Sequence, residues 1–248
     1  MDENIKKAAK ELTKAKYVVA LTGAGISVES GIPPFRGKGG LWEKFDPMKY
    51  ASINGFMENP GEVWEVLLKN MKNLMAKSKP NDAHKGLVQL EKTGKLKSII
   101  TQNVDGLHQK AGSQNVIEFH GTFAWNYCIE CSKRYKMEDI ELDEIPPKCT
   151  CKGLLRPDCV FFGEQIPQQA LIRSRAESEK CDIMLTIGTS ATVQPAAMMP
   201  QIAKRSGSII IEINPEPTPL TDYVSDYFLK GQAGQIMNKL INEMKDRI

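Results

Sequence analysis

Histidines, aromatic residues and long apolar runs are all scarce in this chain of 248 residues. Only 3 residues are histidine and 7% are aromatic. No run approaches the roughly 20 apolar residues that a membrane-spanning helix needs, and residues 1–17 are charged throughout, unlike a secretory signal. The 33 basic and 30 acidic residues are interspersed, so the basic surface of a nucleic-acid-binding protein is not expected. We therefore expect a soluble, cytoplasmic protein with neither a direct nucleic-acid site nor a membrane partner.

Apolar strand patterns alternate with helical patterns along most of the chain. Strands are predicted within YVVALTGAGIS and at 96–101, 115–120, 182–188 and 208–214, and helices at 4–15, 61–76, 82–93, 167–179, 195–206 and 231–246. Such alternation indicates a parallel sheet covered by helices on both faces. The predicted fold is therefore an α/β, doubly wound domain.

Two segments interrupt this alternation. Residues 32–80 begin as a Pro/Gly-rich loop and continue as helices, and residues 122–158 contain four of the 6 cysteines. We interpret both as insertions that together form a smaller domain beside the sheet. The large domain is then predicted to comprise 1–31, 81–121 and 159–248.

Three predicted strands end in small or polar residues. TGAGIS (22–27) should open a helix and follows the first strand, where glycines let the backbone approach a phosphate, although Val28 replaces the third glycine of the usual fingerprint. GTSATVQPAA (188–197) and EINPEP (212–217) end two later strands. A tight strand-to-helix turn and an ordinary ST-turn are the alternatives for the first two. Together, the three loops predict a dinucleotide across the strand ends.

The strand at 96–101 runs into Gln102, Asn103 and Asp105, an unusual density of hydrogen-bonding groups. His120 ends the next predicted strand, and a neutral imidazole at the same edge is the natural general base. The other two histidines, His84 and His108, lie in helical patterns, and we expect them to be structural.

Four cysteines form two close pairs separated by 17 residues: Cys128, Cys131, Cys149 and Cys151. Without an export signal, such cysteines are expected as thiols or metal ligands rather than disulfides. The spacing predicts a tetrahedral zinc site, and since nothing suggests an open coordination position, the zinc should be structural. The second pair has only Thr150 between its members, yet residues two apart in an extended chain point the same way. Cys159 and Cys181 are expected as core thiols.

The ordered motifs GAGIS…GIPPFRG, TQNVDGLH, EFHG, the cysteine pairs, FFGE, GTSATVQPAA and INPEPTP resemble those of the sirtuins, NAD-dependent protein deacylases, over nearly the whole chain. The compact length resembles a bacterial or archaeal member. The resemblance implies a Rossmann-like domain, a small zinc domain, and a cleft where NAD meets an acyl-lysine peptide. It also implies that the acyl oxygen attacks the ribose as nicotinamide leaves, giving O-acetyl-ADP-ribose and free lysine.

The resemblance implies a role for each matching position. His120 would be the catalytic base, with Asn103 orienting the nicotinamide. The cofactor would contact Gly23, Ala24, Gly25, Phe35, Arg36, Gln102, Asn103, Asp105, Gly188, Thr189, Ser190, Asn214 and Glu216. The peptide would bind Val160, Phe161, Phe162, Gly163 and Glu164 by β-augmentation, and Leu67 would line the acyl pocket.

Two departures from the family pattern bear on these expectations. Pro34 replaces a residue that is usually polar, so the cofactor loop is expected to be stiffer or held differently, because proline has no N–H to donate. Leu67 and Asn70 align with the Tyr and Arg of desuccinylases, which predicts a preference for acetyl over succinyl groups. The alternative functions are a non-catalytic NAD or ADP-ribose sensor and an ADP-ribosyltransferase.

Overall fold

The structure, a computed structural model, describes residues 2–37 and 39–245. It contains nine strands: β1 Val18–Thr22, β2 Leu96–Thr101, β3 Val116–Glu118, β4 Gly121–Cys128, β5 Arg134–Lys136, β6 Leu155–Cys159, β7 Ile183–Ile187, β8 Ile209–Asn214 and β9 Tyr227–Lys230. Six of them form one sheet in the order β3-β2-β1-β7-β8-β9, and every neighbouring pair is parallel. The other three form a small antiparallel sheet, β5-β4-β6.

The α-helices within the described residues are α1 Asp2–Lys14, α2 Pro47–Tyr50, α3 Ile53–Glu58, α4 Pro60–Val63, α5 Lys69–Lys77, α6 Asp82–Lys92, α7 Leu107–Ala111, α8 Gln168–Lys180, α9 Met199–Arg205 and α10 Ala233–Lys245. A π-helical turn, Trp64–Leu68, joins α4 to α5. Short 3-10 helices cover Ala24–Ser30, Leu41–Glu43, Met137–Asp139 and Ala196–Met198. None of the described helices is long and apolar enough to span a membrane.

Alternate residues of the central strand face opposite sides of the sheet, and both sides are covered. Val18 and Ala20 of β1 belong to a hydrophobic cluster with α1, α6 and α10, whereas Val19 and Leu21 belong to a second cluster with α8 and α9. Because both faces of the sheet are shielded from water, the sequence of β1 is a continuous apolar run and does not alternate between apolar and polar residues. The predicted doubly wound α/β fold is confirmed.

A third hydrophobic cluster lies outside the sheet and unites the two predicted insertions. Phe56 and Trp64 of the helical segment are fully buried there, beside Phe123 and Met137 of the cysteine-bearing segment. The Trp64 indole N–H donates to the Leu155 carbonyl at 3.0 Å, which fixes the two segments to each other.

The predicted domain limits stay a prediction, and one of them divides an element. The limit between residues 158 and 159 falls inside β6, which belongs to the small sheet. Residues 1, 38 and 246–248 lie outside the described residues, as does the last residue of the helix predicted over 231–246.

Candidate functional site

Two glycine loops meet at the centre of the large sheet. The strands β1 and β7 are neighbours there, and the chain proceeds from them toward opposite sheet edges, which makes this point a topological switch. Gly25 N–H donates to the Gly188 carbonyl at 2.8 Å, and Gly188 has φ +60. A Cβ on Gly25 would lie 2.6 Å from Gly188 Cα, so only glycine permits this approach. The crevice beyond the strand ends is where α/β sheets bind nucleotides.

The segment after the first glycine loop is anchored at both ends. It forms a 3-10 helix, Ala24–Ser30, and not the α-helix that a dinucleotide fingerprint would open. Asn81 Nδ2 donates to the Ile26 carbonyl at 2.7 Å and to Ser30 Oγ at 3.0 Å. Glu29 accepts from Gly234 N–H at 2.6 Å. These contacts hold the glycine turn against α6 and α10.

Asn103, Asp105 and Ser27 form a buried hydrogen-bonded group beside the glycine turn. Asn103 Nδ2 donates to the Gly23 carbonyl at 3.1 Å and to Ser27 Oγ at 3.2 Å. The Ser27 hydroxyl donates to Asp105 Oδ2 at 2.7 Å, and Leu107 N–H donates to Oδ1 at 2.9 Å. Burial raises the pKa of Asp105, although these two hydrogen bonds oppose the shift. Ser27 lies in the TGAGIS motif, but no sequence pattern predicted its contact with Asp105.

His120 is held in one tautomer by the strand next to it. Its Nδ1 lies 3.0 Å from the Gln102 carbonyl, which can only accept a hydrogen bond, so Nδ1 carries the proton and Nε2 carries the lone pair. Burial lowers the pKa of His120, with the Gln102 contact opposing, and a neutral ring is favoured at neutral pH. Such an imidazole can act as a general base through Nε2.

Gln102 connects this histidine to the second glycine loop. Its side-chain amide donates to Thr189 Oγ1 at 2.9 Å, rather than pointing toward Asn103. Asn214, at the end of β8, donates to the Thr189 carbonyl at 3.3 Å. Ser190 is exposed, and Glu216 forms an exposed ion pair with Lys230 at 3.6 Å. The predicted cofactor positions after β2, β7 and β8 therefore adjoin one another along the same sheet edge.

The loop that contains Phe35 and Arg36 folds back on itself. Phe35 stacks on Trp42 with ring centroids 5.3 Å apart, while Arg36 is exposed. Pro34 supplies an acceptor rather than a donor: its carbonyl receives the Leu41 N–H at 2.9 Å. The Trp42 ring also lies 6.4 Å from the ring of Phe162, which connects this loop to the predicted peptide-binding segment.

The segment 160–164, predicted to act as a peptide-binding strand, is a loop in this structure and not a strand of either sheet. Val160 N–H donates to the His120 carbonyl at 2.9 Å, which brings the segment against the candidate base. Phe162 makes an isolated parallel bridge with Ser52. Within this segment, β-bridge pairing is therefore limited to Phe162.

A buried arginine, absent from the predicted site, organises that loop. Arg156 is 3% exposed and forms a two-pronged ion pair with Glu164, at 2.6 and 2.8 Å. It also donates to the Cys159 carbonyl at 2.9 Å and lies 4.5 Å from the Phe161 ring centroid. Glu164 in turn accepts from Phe161 N–H at 2.8 Å. The available sequence signal was a charged residue, Arg156, next to Leu155 and Pro157 in the short strand β6.

Among the described residues of the candidate acyl-pocket helix, the lysines nearest Leu67 already have partners. Leu67 is buried in the π-helical turn, and the exposed Asn70 amide donates to the Val66 carbonyl at 2.7 Å. Lys69 pairs with Glu65 at 2.9 Å, and Lys72 donates to the Ile140 carbonyl.

The four paired cysteines converge on one point. The sulfur atoms of Cys128, Cys131, Cys149 and Cys151 all lie within 4.8 Å of one another. Three of the separations are 3.5, 3.5 and 3.6 Å, close to the about 3.8 Å between ligands of a tetrahedron with 2.3 Å zinc–sulfur bonds. The short Cys149-x-Cys151 spacing thus allows both sulfurs to enter the cluster, and the donor set fits a structural zinc. Cys159 lies outside the cluster.

The histidines expected to be structural are buried beneath the glycine turn. Their rings are tilted with centroids 4.9 Å apart. His108 Nε2 lies 2.9 Å from Thr22 Oγ1, and His84 Nδ1 lies 3.0 Å from Asn81 Oδ1. The remaining nitrogens, His84 Nε2 and His108 Nδ1, are buried without a hydrogen-bond partner among the described residues.

This fold and site define a class: a Rossmann-like protein with a nucleotide crevice at the switch point and an inserted four-cysteine module. The Sir2 family profile matches residues 23–195. NAD-dependent protein deacylase 1 of Archaeoglobus fulgidus is 45% identical over 246 residues, which cover 99% of this chain and 98% of the relative. The chain belongs to the Sir2 family, and the predicted resemblance is confirmed.

Two solved structures show the same similarity in three dimensions. A Sir2 homologue in complex with NAD is 45% identical, with a TM-score of 0.89 and coverage of 97% of this chain and 94% of the homologue. Sir2 with a p53 peptide and NAD⁺ is 36% identical, with a TM-score of 0.90 and coverage of 98% and 99%. In both comparisons, the shared fold therefore extends over nearly all of each chain.

Proposed function

We propose that this chain removes acetyl groups from protein lysine side chains, consuming NAD and producing nicotinamide, O-acetyl-ADP-ribose and the free lysine. The observation that carries the proposal is the setting of His120, a neutral imidazole with its Nε2 lone pair available at the edge where the glycine loops meet. Pure binding of a nucleotide has no need of a base. The NAD-dependent deacylase relative and the Sir2 complexes with NAD and a p53 peptide support the same reaction.

Each part of the crevice would then have its own task. Bound NAD supplies the nicotinamide–ribose bond that the reaction breaks. The loops at Gly25 and Gly188 would bind its phosphates, because glycines at the strand ends let a phosphate approach the backbone closely. The Asn103 amide would orient the nicotinamide end without opposing positive charge on the ribose. His120 Nε2 would accept a proton from a ribose hydroxyl.

The acyl-lysine peptide would bind along residues 160–164, where the Val160 N–H donates to the His120 carbonyl. The zinc would be held by the four clustered thiolates and would fasten the small sheet, because binding of structural zinc contributes directly to folding. We also propose a cytoplasmic location and no nucleic-acid or membrane partner, in keeping with the balanced charge of the chain.

The exchange of His120 for alanine tests this assignment. His120→Ala should lower deacetylation about 10²-fold or more, the usual scale for a lost general base, while ADP-ribose binding measured by calorimetry stays near the wild-type value. A variant that retains most of the deacetylation rate would exclude His120 as the base. Wild-type protein that binds ADP-ribose but releases no nicotinamide would indicate a sensor, and label transfer from NAD to protein would indicate an ADP-ribosyltransferase.

The acyl group is expected to be acetyl rather than succinyl. A succinyl-lysine would bring a carboxylate into the pocket, and burying it without a partner is costly. Leu67 is apolar, Asn70 is uncharged, and Lys69 is already paired with Glu65. Kinetics on one peptide carrying either group should give the higher kcat/KM for the acetyl form. A higher value for the succinyl peptide would contradict the proposed pocket.

A further inference from the structure

A buried carboxylate on β8 organises the loop between β8 and β9. Glu212 is 2% exposed. Its donors are three hydroxyls from that loop: Thr218 Oγ1 at 2.6 Å, Thr221 Oγ1 at 2.9 Å and Ser225 Oγ at 2.7 Å. Three residues spread over positions 218–225 thus donate hydrogen bonds to the single side chain of Glu212.

This arrangement constrains the loop because a buried carboxylate needs its hydrogen bonds. Removing a donor would leave a buried carboxylate oxygen without that hydrogen bond, and an unsatisfied buried polar atom is costly. The same hydroxyls also bind the loop backbone, since Thr218 N–H donates to Thr221 Oγ1 at 2.9 Å and Leu220 N–H donates to Thr218 Oγ1 at 3.1 Å. The hydroxyls that contact Glu212 therefore also stabilise the conformation of the loop backbone.

The loop held by Glu212 begins at the cofactor edge. Asn214 follows two residues later on the same strand and contacts the Thr189 loop. Glu216 lies in the turn between Asn214 and the first hydroxyl donor, Thr218. Displacement of the 218–225 segment would therefore alter the path of residues 214–217.

We infer that Glu212 and its three hydroxyl donors form a positioning device that holds residues 214–217 in the conformation needed to bind the adenosine end of the cofactor. The inference rests on the proposed function for its ligand. Glu212 makes no contact with the substrate and acts through Asn214 and Glu216. We therefore expect that disruption of these hydrogen bonds changes the affinity for the cofactor and leaves the affinity for the peptide unchanged.

Removing hydroxyls one at a time tests this inference without altering the carboxylate. Ser225→Ala and Thr221→Val each delete a donor, and Thr221→Ser keeps the hydroxyl as a conservative rescue. Ser178→Ala is the matched control, because this buried hydroxyl donates to the Ser174 carbonyl within α8. Measured quantities are the Kd for ADP-ribose, the KM for NAD and for an acetyl-lysine peptide, kcat, and the melting temperature.

Ser225→Ala and Thr221→Val should raise the Kd for ADP-ribose and the KM for NAD about fivefold, the effect of leaving about one chain in five in the competent conformation. Peptide KM should stay within twofold of wild type, and Thr221→Ser and Ser178→Ala should bind ADP-ribose normally. Normal affinity in both hydroxyl-deleted variants, or an equal rise in peptide KM, would overturn the inference. Direct ADP-ribose binding needs no turnover, so wild-type protein that binds but does not deacetylate contradicts only the proposed function.

Discussion

The buried histidine pair beneath the glycine turn should make this protein sensitive to acid. Burial lowers the pKa of His84 to about 4, and burial together with the neighbouring His84 lowers the pKa of His108 to about 3. Protonation of either ring is unfavourable, because the nitrogen that would gain the proton is buried without a hydrogen-bond partner among the described residues. Two charged rings with centroids 4.9 Å apart would also repel each other.

The sign and size of the effect follow from these pKa values. In the unfolded chain both imidazoles titrate near 6.5, so below that pH the unfolded state binds more protons than the folded state and stability falls. At pH 5, each histidine costs about 2 kcal/mol relative to its fully neutral state, from 1.5 pH units at about 1.4 kcal/mol each. The pair therefore removes about 4 kcal/mol, a large part of the 5–15 kcal/mol typical of a folded domain.

Urea unfolding at pH 7 and pH 5, followed by tryptophan fluorescence, measures this loss. His84→Gln and His108→Gln remove one titrating group each, so each variant should lose about 2 kcal/mol less than wild type between the two pH values. Leu87→Ala in α6 is the control, since it lowers the free energy of unfolding at both pH values without changing the difference between them. If each single variant loses as much stability between pH 7 and pH 5 as the wild type does, the histidine pair is not the source of the acid sensitivity.

Two further variants test the small sheet and the peptide loop. Cys149→Ala should release the zinc and unfold the small sheet, because the metal contributes folding free energy; a metal-free variant with the wild-type circular dichroism and melting curve would refute a structural zinc. Arg156→Met should raise peptide KM about tenfold or more while NAD KM changes little, since it leaves the half-buried Glu164 without the guanidinium that holds it; Arg156→Lys, which keeps the charge but not the two-pronged contact, should fall between. Equal peptide KM in all three proteins would show that Arg156 does not position the loop.

The parts of this molecule that follow local rules could be predicted from the sequence. The strand predicted over 96–101 agrees with β2, and the predicted helix over 82–93 agrees with α6 to within one residue. Both contribute apolar residues to the same hydrophobic cluster, β2 from within the sheet and α6 from the layer that covers it. The cysteine spacing likewise predicted a cluster, since metal ligands depend on short sequence separations.

The parts that depend on distant partners could not be predicted. Ser27 and Asp105 are 78 positions apart, and their contact exists only because β1 and β2 end at the same edge. Arg156 and Glu164 are close in sequence, but no sequence pattern indicates that the guanidinium is buried among aromatic rings. The loop at 160–164 was predicted as a strand only because its residues match the peptide-binding strand of the sirtuins. Its backbone instead follows the contacts of Glu164.

Gln102 shows why the cofactor and base positions in this crevice cannot be treated separately. Its carbonyl fixes the tautomer of His120, and its side chain contacts Thr189 in the second glycine loop. Its own N–H donates to the Thr22 carbonyl at 2.9 Å, at the start of the first glycine loop. One residue therefore joins three strand ends through three different atoms. A phosphate that moved either loop would act on Gln102, the residue whose carbonyl orients the base, so cofactor binding and the orientation of His120 are linked through this one residue.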